Sequence, residues 1–252
     1  MTPGEPNGSS SEAKFPAQRP DGPVETYPWP TTLEARIITP GEEPRVHGYS
    51  VESDLALHYS FTETVLLFLT GELPTEEQAA AFDVALVFLA PLSVAHAPTH
   101  AGVLARLCGA RFSAVSAIAA VTLAERGRST LDANGAVLEW LDRLRASSDE
   151  PPPAESLAAG ESDRSSVSRL RTALAHRGVE IPALGSSNDL GRFPALLATL
   201  HFAGLEHREQ IEAVLVLASF ASTIAEARTR TVASFREYPM NVPRFVYEET
   251  NG

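Results

Sequence analysis

Apolar residues recur at helical spacing along most of the chain after residue 50. A first helix is predicted between Ser50, which can cap it, and Gly71, which ends it. Thr75 followed three residues later by Gln78 is the signature of a capping box, and it predicts a second helix as far as residue 90. The same spacing predicts further helices at residues 101–108, 112–125, 133–145, 167–177, 193–202 and 209–232. This pattern is typical of an all-α protein.

The segments between and before the helices are rich in turn-forming residues. Residues 33–49 read as two extended pieces around Pro40 and Gly41, which predicts a short N-terminal β-hairpin. Residues 1–32 hold too few large apolar side chains to offset the entropy of ordering, so we expect a disordered or loosely draped arm. Residues 147–166 contain three consecutive prolines and many acids, and they are predicted to be a loop or linker.

Composition narrows the class of protein. The 252 residues are enough to bury a sizeable core, and the net charge of -12 disfavours nucleic acid and anionic membranes as partners. The single cysteine, Cys108, excludes a disulfide framework, and its apolar helical surroundings predict a core position. The first residues lack the pattern of a signal peptide, and no window resembles a membrane span. We therefore expect a soluble cytoplasmic protein.

Two histidines, His96 and His100, lie four residues apart beside Pro98, where a helix is predicted to begin. Histidine changes charge near neutral pH, so a pair at a helix entrance suits carboxylate binding or proton transfer. The structural alternative is that His96 caps the helix and His100 packs in the core. No glutamate completes a zinc-binding helix pattern with this pair, so no metal cofactor is expected.

Three separate segments resemble the citrate synthase superfamily. Residues 45–49, Arg-Val-His-Gly-Tyr, are similar to the family's approach to its first large helix. Residues 60–75, from Ser-Phe to Gly-Glu-Leu-Pro-Thr, are the most specific match. His96 stands where the family has a substrate-binding histidine, with Ala95 in place of the preceding aspartate. In length and ending, the chain most resembles the short, stand-alone citryl-CoA lyase branch.

The resemblance implies a citrate synthase-like fold, all-α, with a large helical domain and a truncated small domain. It also implies a division of the chain after the arm. Residues 33–146 are the first part of the large domain, and residues 147–185 are a linker with the small-domain remnant. Residues 186–252 are the large domain's C-terminal helices with an extended tail. The implied partners are a small carboxylic acid or an acyl-CoA, with CoA as substrate rather than bound cofactor. The implied assembly is a homodimer, and the alternative is a heterodimer with a complete paralogue.

The resemblance also implies site residues. Asp189 is the counterpart of the base that takes the α-proton, although residues 186–189 also resemble a helix-capping cluster. Substrate binding is assigned to His96, to its neighbour His100 and to Arg236, which would stand for the tail arginine that reaches a neighbouring subunit's site. Ser219 stands near the place of the family's carboxylate-binding arginine.

Two catalytic motifs of the family are missing. Residues 127–130, Gly-Arg-Ser-Thr, occupy the place of a His-Gly-Gly loop, and no Gly-His-Arg segment follows residue 146. Arg128 and Ser129 in this predicted loop would form either a new anion site or a solvated surface. We therefore predict a divergent enzyme, of acyltransferase or lyase type, that forms or cleaves a carbon–carbon bond in an acyl-CoA or small carboxylic acid. The alternative is a catalytically inactive homologue that serves as a dimeric scaffold or regulatory partner.

Overall fold

The structure is a computed structural model. It describes residues 32–144, 151–185 and 189–231. Its contacts divide the chain into two units, residues 1–36 and residues 37–252. In the first unit, the described residues 32–36 are exposed and form neither helix nor strand. Every described helix and strand belongs to the second unit.

A small antiparallel sheet opens the second unit. Its strands are, in spatial order, β1 (Ile38–Thr39), β2 (Arg45–Val46) and β3 (Tyr49–Ser50). The first two strands form the predicted hairpin around Pro40 and Gly41, and β3 adds a third strand that pairs with β2. Val46 is the buried residue of β2, and it packs with Leu55 and Leu67 in a small apolar cluster. The sheet is therefore anchored to the helices that follow it.

Helices make up most of the described chain. A π-helical turn, Val51–Leu55, leads into the first of them. The α-helices are α1 (Ala56–His58), α2 (Phe61–Thr70), α3 (Glu76–Leu89), α4 (Ala97–Leu107), α5 (Phe112–Asp132), α6 (Gly135–Leu144), α7 (Glu161–His176), α8 (Arg192–Phe202) and α9 (Arg208–Arg228). Short 3₁₀ turns lie at Ala154–Ser156 and Pro182–Leu184. The predicted mostly helical class is confirmed.

The single helix predicted between Ser50 and Gly71 is broken in two. Ser50 caps the π-helical turn as predicted, because its side chain accepts from the Ser53 N–H group. Tyr59 then takes an extended conformation, and Ser60 begins α2 with a capping box in which its side chain and that of Glu63 bind each other's backbone N–H groups. The Ser-x-x-Glu signature at this position therefore starts a new helix within an otherwise helical pattern.

The predicted loop at residues 127–130 is wrong, because α5 continues through it to Asp132. Gly127 is buried inside the helix, where an added Cβ would lie 3.6 Å from the Cβ of Leu215 in α9. The glycine allows α5 and α9 to approach closely, so it serves helix packing and does not end the helix. Arg128 pairs with Glu125 on the exposed side of α5, and this hydrogen bond raises the pKa of Arg128 above its usual value.

Helix α7 begins at Glu161, six residues before the predicted start at Val167. Its first turns are polar, but Val167, Leu170 and Leu174 are buried in the largest apolar core. The same core contains Phe82 of α3 and residues from α2, α5, α6, α8 and α9. The predicted linker and small-domain remnant, residues 147–185, thus contribute to the main core through α7 and the residues after it.

Helices α4, α5 and α9 pack on one another beside this core. Val103, Val115 and Ala227 form a small buried cluster between them. Cys108 is exposed at the C-cap of α4, so the predicted core position is wrong. The reason is its place at the helix end, where the chain turns away from this cluster at Gly109, which has a φ of 83°.

Helix α9 is, in the described part of the chain, the one helix whose length and hydropathy would allow it to cross a membrane. Its inner face packs against α4 and α5. Its outward positions are small or apolar and recur every fourth residue. They are Ala213, Leu217, Ala221 and Ala225. The expectation that no window resembles a membrane span did not take account of this helix.

Candidate active-site cleft

A cleft of about 510 Å³ lies between the end of α3, the second half of α5, the middle of α9 and the start of α8. Residues 155–163, which we call the strap, form another part of its wall through the 3₁₀ turn and the first turn of α7. Apolar side chains such as Phe88, Leu123 and Leu215 line the cleft together with polar groups. A cleft with both apolar and charged lining suits a small polar ligand that carries an apolar part.

Cationic and imidazole groups converge on this cleft from three helices. Arg126 comes from α5, Arg192 from the first position of α8, and His96 from the N-cap of α4. The Nη1 atom of Arg126 lies 3.3 Å from the Nδ1 atom of His96. Arginine side chains bind carboxylates with two parallel hydrogen bonds, so this group can hold an organic acid.

The contact with Arg126 fixes the chemistry of the His96 ring. A guanidinium group has donors only, so Nδ1 of His96 must accept, and the ring proton then lies on Nε2. No described residue is hydrogen-bonded to Nε2, which leaves an N–H donor for a ligand. His96 occupies the N-cap position of α4, as the structural alternative predicted, but its side chain makes no capping hydrogen bond.

Three side chains bind the last carbonyl groups of α3 at the cleft. Arg192 donates from Nη2 to the carbonyl of Phe88 at 2.9 Å. Ser219 of α9 donates to the carbonyl of Leu89 at 2.9 Å, and Ser222 donates to the carbonyl that follows it. These carbonyl groups have no partner within their own helix, so the bonds complete the end of α3.

The structure separates the other predicted site residues from His96. His100 is exposed on α4 and does not line the cleft, and the alternative that it packs in the core is wrong. Asp189 is exposed, and its two carboxylate oxygens lie 3.1 and 3.3 Å from Nε of Arg164. It is not among the residues that line the cleft, whereas Gly191, two residues later, is. Arg236 lies outside the described residues.

Ser219, which stands near the place of the family's carboxylate-binding arginine in the resemblance, lines the cleft. Its side chain is committed to the Leu89 carbonyl group and carries no charge. Arg126 and Arg192 are therefore the arginines that the described structure brings to the cleft.

Sequence reasoning missed both of these arginines. Arg126 directly precedes Gly127, where the helix was expected to end. The candidate arginine of the predicted loop was therefore Arg128, which faces solvent. Arg192 follows Gly191 at the start of α8, and this Gly-Arg pair is the one local signal that could have found it. The bundle geometry brings the two together from positions far apart in the sequence.

Two acidic residues of the strap, Glu155 and Asp163, also line the cleft. Asp163 is half-buried, and its Oδ2 atom accepts from the Ala159 N–H group at 3.3 Å. Among the described residues, no cluster of three or more histidine, cysteine or acidic side chains is arranged to hold a metal ion. The cleft therefore carries two carboxylate side chains beside its cationic groups.

Comparisons with known proteins place the fold. No protein-family model matches the sequence, and no curated protein does. Citryl-CoA lyase from Hydrogenobacter thermophilus has a similar structure, with a TM-score of 0.60 and 14% identity, covering 86% of this chain and 95% of the lyase chain. ATP citrate lyase from Methanothrix soehngenii, in complex with citrate and coenzyme A, matches with a TM-score of 0.53 and 13% identity. This chain has the citrate synthase-like fold.

The predicted fold class, a mostly helical citrate synthase-like fold, is confirmed. The match covers 89% of this chain but 43% of the ATP citrate lyase chain, so this chain corresponds to one part of that larger protein. At these identities the likeness shows the fold alone. Function must therefore be judged from the chemistry of the cleft.

Proposed function

We propose that this chain is an enzyme that binds a small di- or tricarboxylic acid in the cleft and forms or cleaves a carbon–carbon bond beside the thioester of an acyl-CoA. The observation that carries the proposal is the convergence of Arg126, Arg192 and His96 on one cleft. Two solved structures of similar fold are a citryl-CoA lyase and an ATP citrate lyase, which supports this reaction class.

The arginines would bind the carboxylates of the substrate. Arg126 and Arg192 each have donors left after their contacts with His96 and Phe88, because a guanidinium group carries five N–H bonds. Two such groups neutralise two negative charges, and this is needed in a chain whose net charge is -12. The cleft would therefore prefer an acid with at least two carboxylates over a monocarboxylate.

His96 would orient the oxygen atom at the reacting carbon. In the cleavage direction, a hydroxyl group of the substrate gives its proton to a water molecule as the carbon–carbon bond breaks and a carbonyl forms. The electron pair moves onto the thioester as an enolate, whose carbon then takes up a proton to give the acyl-CoA. The Nε2–H group of His96 can donate to the oxygen throughout, which aligns the bond that breaks.

The second candidate is the non-catalytic homologue, a scaffold or regulatory partner. It is favoured by residues 127–130, which continue α5 as helix at the place where the resemblance puts the family's His-Gly-Gly loop. A cleft that has lost the side chains that bind substrate would bind neither the acid nor CoA.

Calorimetric titration of the purified protein tests the proposal. We expect citrate or oxaloacetate to bind, and CoA or acetyl-CoA to bind with an affinity that rises when the acid is present. Acetate is the matched control ligand, because it has one carboxylate, and we expect no measurable heat from it. If none of the four larger ligands binds, the enzyme is excluded and the scaffold is favoured.

We also propose that the chain forms a homodimer through the outward faces of α5 and α9. Val121 of α5 is 64% exposed and Leu217 of α9 is 40% exposed, although both are large apolar residues. The outward positions around Leu217 are alanines, whose small side chains permit close helix packing. A second copy of the chain would bury these residues and complete the assembly implied by the resemblance.

A Leu217→Glu substitution is expected to convert the dimer into a monomer, because it places a charge in an apolar contact. Light scattering coupled to size exclusion measures the mass of the particle. Leu57→Glu is the matched control, since Leu57 is 70% exposed on α1 and should not affect assembly. A monomeric wild-type protein would exclude the homodimer, and a mass shift on mixing with a related chain would favour the heterodimer.

A further inference from the structure

The reaction proposed above needs a group that moves a proton at carbon, and the predicted base is not placed to do so. The carboxylate of Asp189 is bound by Arg164 and does not line the cleft. Asp163, one residue before Arg164, does line it. The contacts around these two aspartates show why Asp163, and not Asp189, is placed to act in the cleft.

Asp163 is held in place but not neutralised. It lies in the first turn of α7, which begins after Gly160, and its Oδ2 atom accepts the N–H group of Ala159 at 3.3 Å. No arginine, lysine or histidine among the described residues forms an ion pair with it. One carboxylate oxygen is thus fixed by the backbone while the other is available to a ligand.

Gly191 leaves the space in front of this carboxylate open. A Cβ atom at this position would lie 3.6 Å from Oδ2 of Asp163 and 3.4 Å from the carbonyl oxygen of Ser156. The Gly191 N–H group also donates to that carbonyl at 2.7 Å, which joins the start of α8 to the strap. A larger residue would cover the carboxylate from the side of Arg192.

Asp189 holds the strap against the body of the protein. Its carbonyl group accepts from the Ala158 N–H group at 2.8 Å, and its carboxylate binds Arg164. An isolated β-bridge joins Leu157 to Leu190 between these two contacts. The backbone and side chain of Asp189 therefore both fix the segment that carries Asp163.

We propose that Asp163 is the catalytic carboxylate of the cleft and that Asp189 is a positioning residue that holds it there through Arg164. This inference rests on the proposed function. In the bond-forming direction, the Asp163 carboxylate takes a proton from the α-carbon of the acyl-CoA, and the electron pair of that C–H bond moves onto the thioester as an enolate. The enolate carbon then attacks the carbonyl carbon of the oxo-acid, whose oxygen takes up a proton from a water molecule. In cleavage, protonated Asp163 returns its proton to the enolate carbon.

Glu155 is the other acid of the cleft, and its placement fits this role less well. It is exposed in the 3₁₀ turn of the strap, and it makes no hydrogen bond with the described residues. Asp163 is half-buried and anchored, so its carboxylate reaches a fixed position with less loss of side-chain entropy.

Hydrogen–deuterium exchange at the methyl group of acetyl-CoA tests the proposal directly. The full-length protein is incubated in D₂O with acetyl-CoA and oxaloacetate, and loss of the methyl proton signal is followed by NMR. We expect Asp163→Asn to slow exchange by about 10² to 10⁴-fold while oxaloacetate affinity, measured by calorimetry, stays within about threefold of wild type. Asparagine retains the acceptor for the Ala159 N–H group, so the start of α7 is preserved.

The remaining variants separate catalysis from positioning. Asp163→Glu restores a carboxylate and is expected to recover part of the exchange rate. Asp189→Asn is expected to slow exchange by less than about tenfold, since it loosens the strap and leaves the base intact. Glu161→Gln is the matched control, because Glu161 is an exposed acid in the same turn of α7 and does not line the cleft.

The outcomes distinguish this inference from the proposed function. If the wild type exchanges protons and Asp163→Asn does so equally fast, the assignment of Asp163 is wrong while the enzyme stands. If Asp189→Asn removes exchange and Asp163→Asn does not, the base is Asp189. If the wild type neither binds ligand nor exchanges protons, the proposed function fails and the assignment fails with it.

Discussion

Replacing Arg126 with glutamine is expected to weaken the binding of citrate and oxaloacetate by about ten- to a hundredfold. A hydrogen bond to a charged group contributes about 1.5 to 3 kcal/mol, and the substitution removes a charged pair of donors from the cleft. The effect should be large because Arg126 also contacts Nδ1 of His96, which keeps the ring in the tautomer that donates from Nε2. Isothermal titration calorimetry measures the change in dissociation constant.

Arg128→Gln is the matched control for this experiment. Arg128 lies two residues further along α5 and pairs with Glu125 and Asp132 on the exposed surface. Its substitution removes the same charge from the same helix but not from the cleft, so affinity should change less than about twofold. Equal losses in the two variants would show that overall charge, and not a site at Arg126, governs binding.

Replacing Leu170 with alanine is expected to lower the free energy of unfolding of the whole protein by about 2 to 5 kcal/mol. The Leu170 side chain is 1% exposed in the core that also contains Phe82 and Trp140, so its loss leaves a cavity in well-packed surroundings. Urea unfolding followed by circular dichroism measures this change, and the melting temperature should fall by about 5 to 15 °C. Unfolding should remain a single transition, because α7 shares the main core.

Leu57→Ala provides the comparison for the core variant. Leu57 is 70% exposed, so its substitution should change the free energy of unfolding by less than about 0.5 kcal/mol. If Leu170→Ala instead produces two transitions, with the larger one at the wild-type position, the segment around α7 unfolds separately. That result would contradict a shared core.

Helix ends were predictable where a short local signal fixes them. Thr75 and Gln78 begin α3 as predicted, because each side chain binds the other's backbone N–H group. The Ser60 and Glu63 pair follows the same rule, but it was hidden inside a continuous apolar pattern. The polar start of α7 was missed for the opposite reason, since Glu161 and the five residues after it are polar and carry no hydrophobic period.

The candidate site was predictable only at the residue that a motif marked. His96 was found from its family position, and it does line the cleft. Arg126, Arg192 and Asp163 come from three helices that are distant in sequence, and their meeting depends on how α5, α7 and α8 pack. No local pattern encodes that packing. Gly127 illustrates the difficulty, because a glycine that ends a helix and one that admits a neighbouring helix look alike in sequence.

The end of α3 places a negative potential where an anionic ligand would bind. The C-terminus of a helix carries a partial negative charge of about half an elementary charge. In α3 this charge lies on carbonyl groups such as those of Phe88 and Leu89, two residues that line the cleft. Without Arg192 and the two serine hydroxyls of α9, that potential would repel a carboxylate. In the proposed enzyme, affinity for an organic acid would therefore depend also on Ser222, which donates to the last carbonyl group without lining the cleft. Selectivity for an anion would then be set partly by how well a helix terminus is screened.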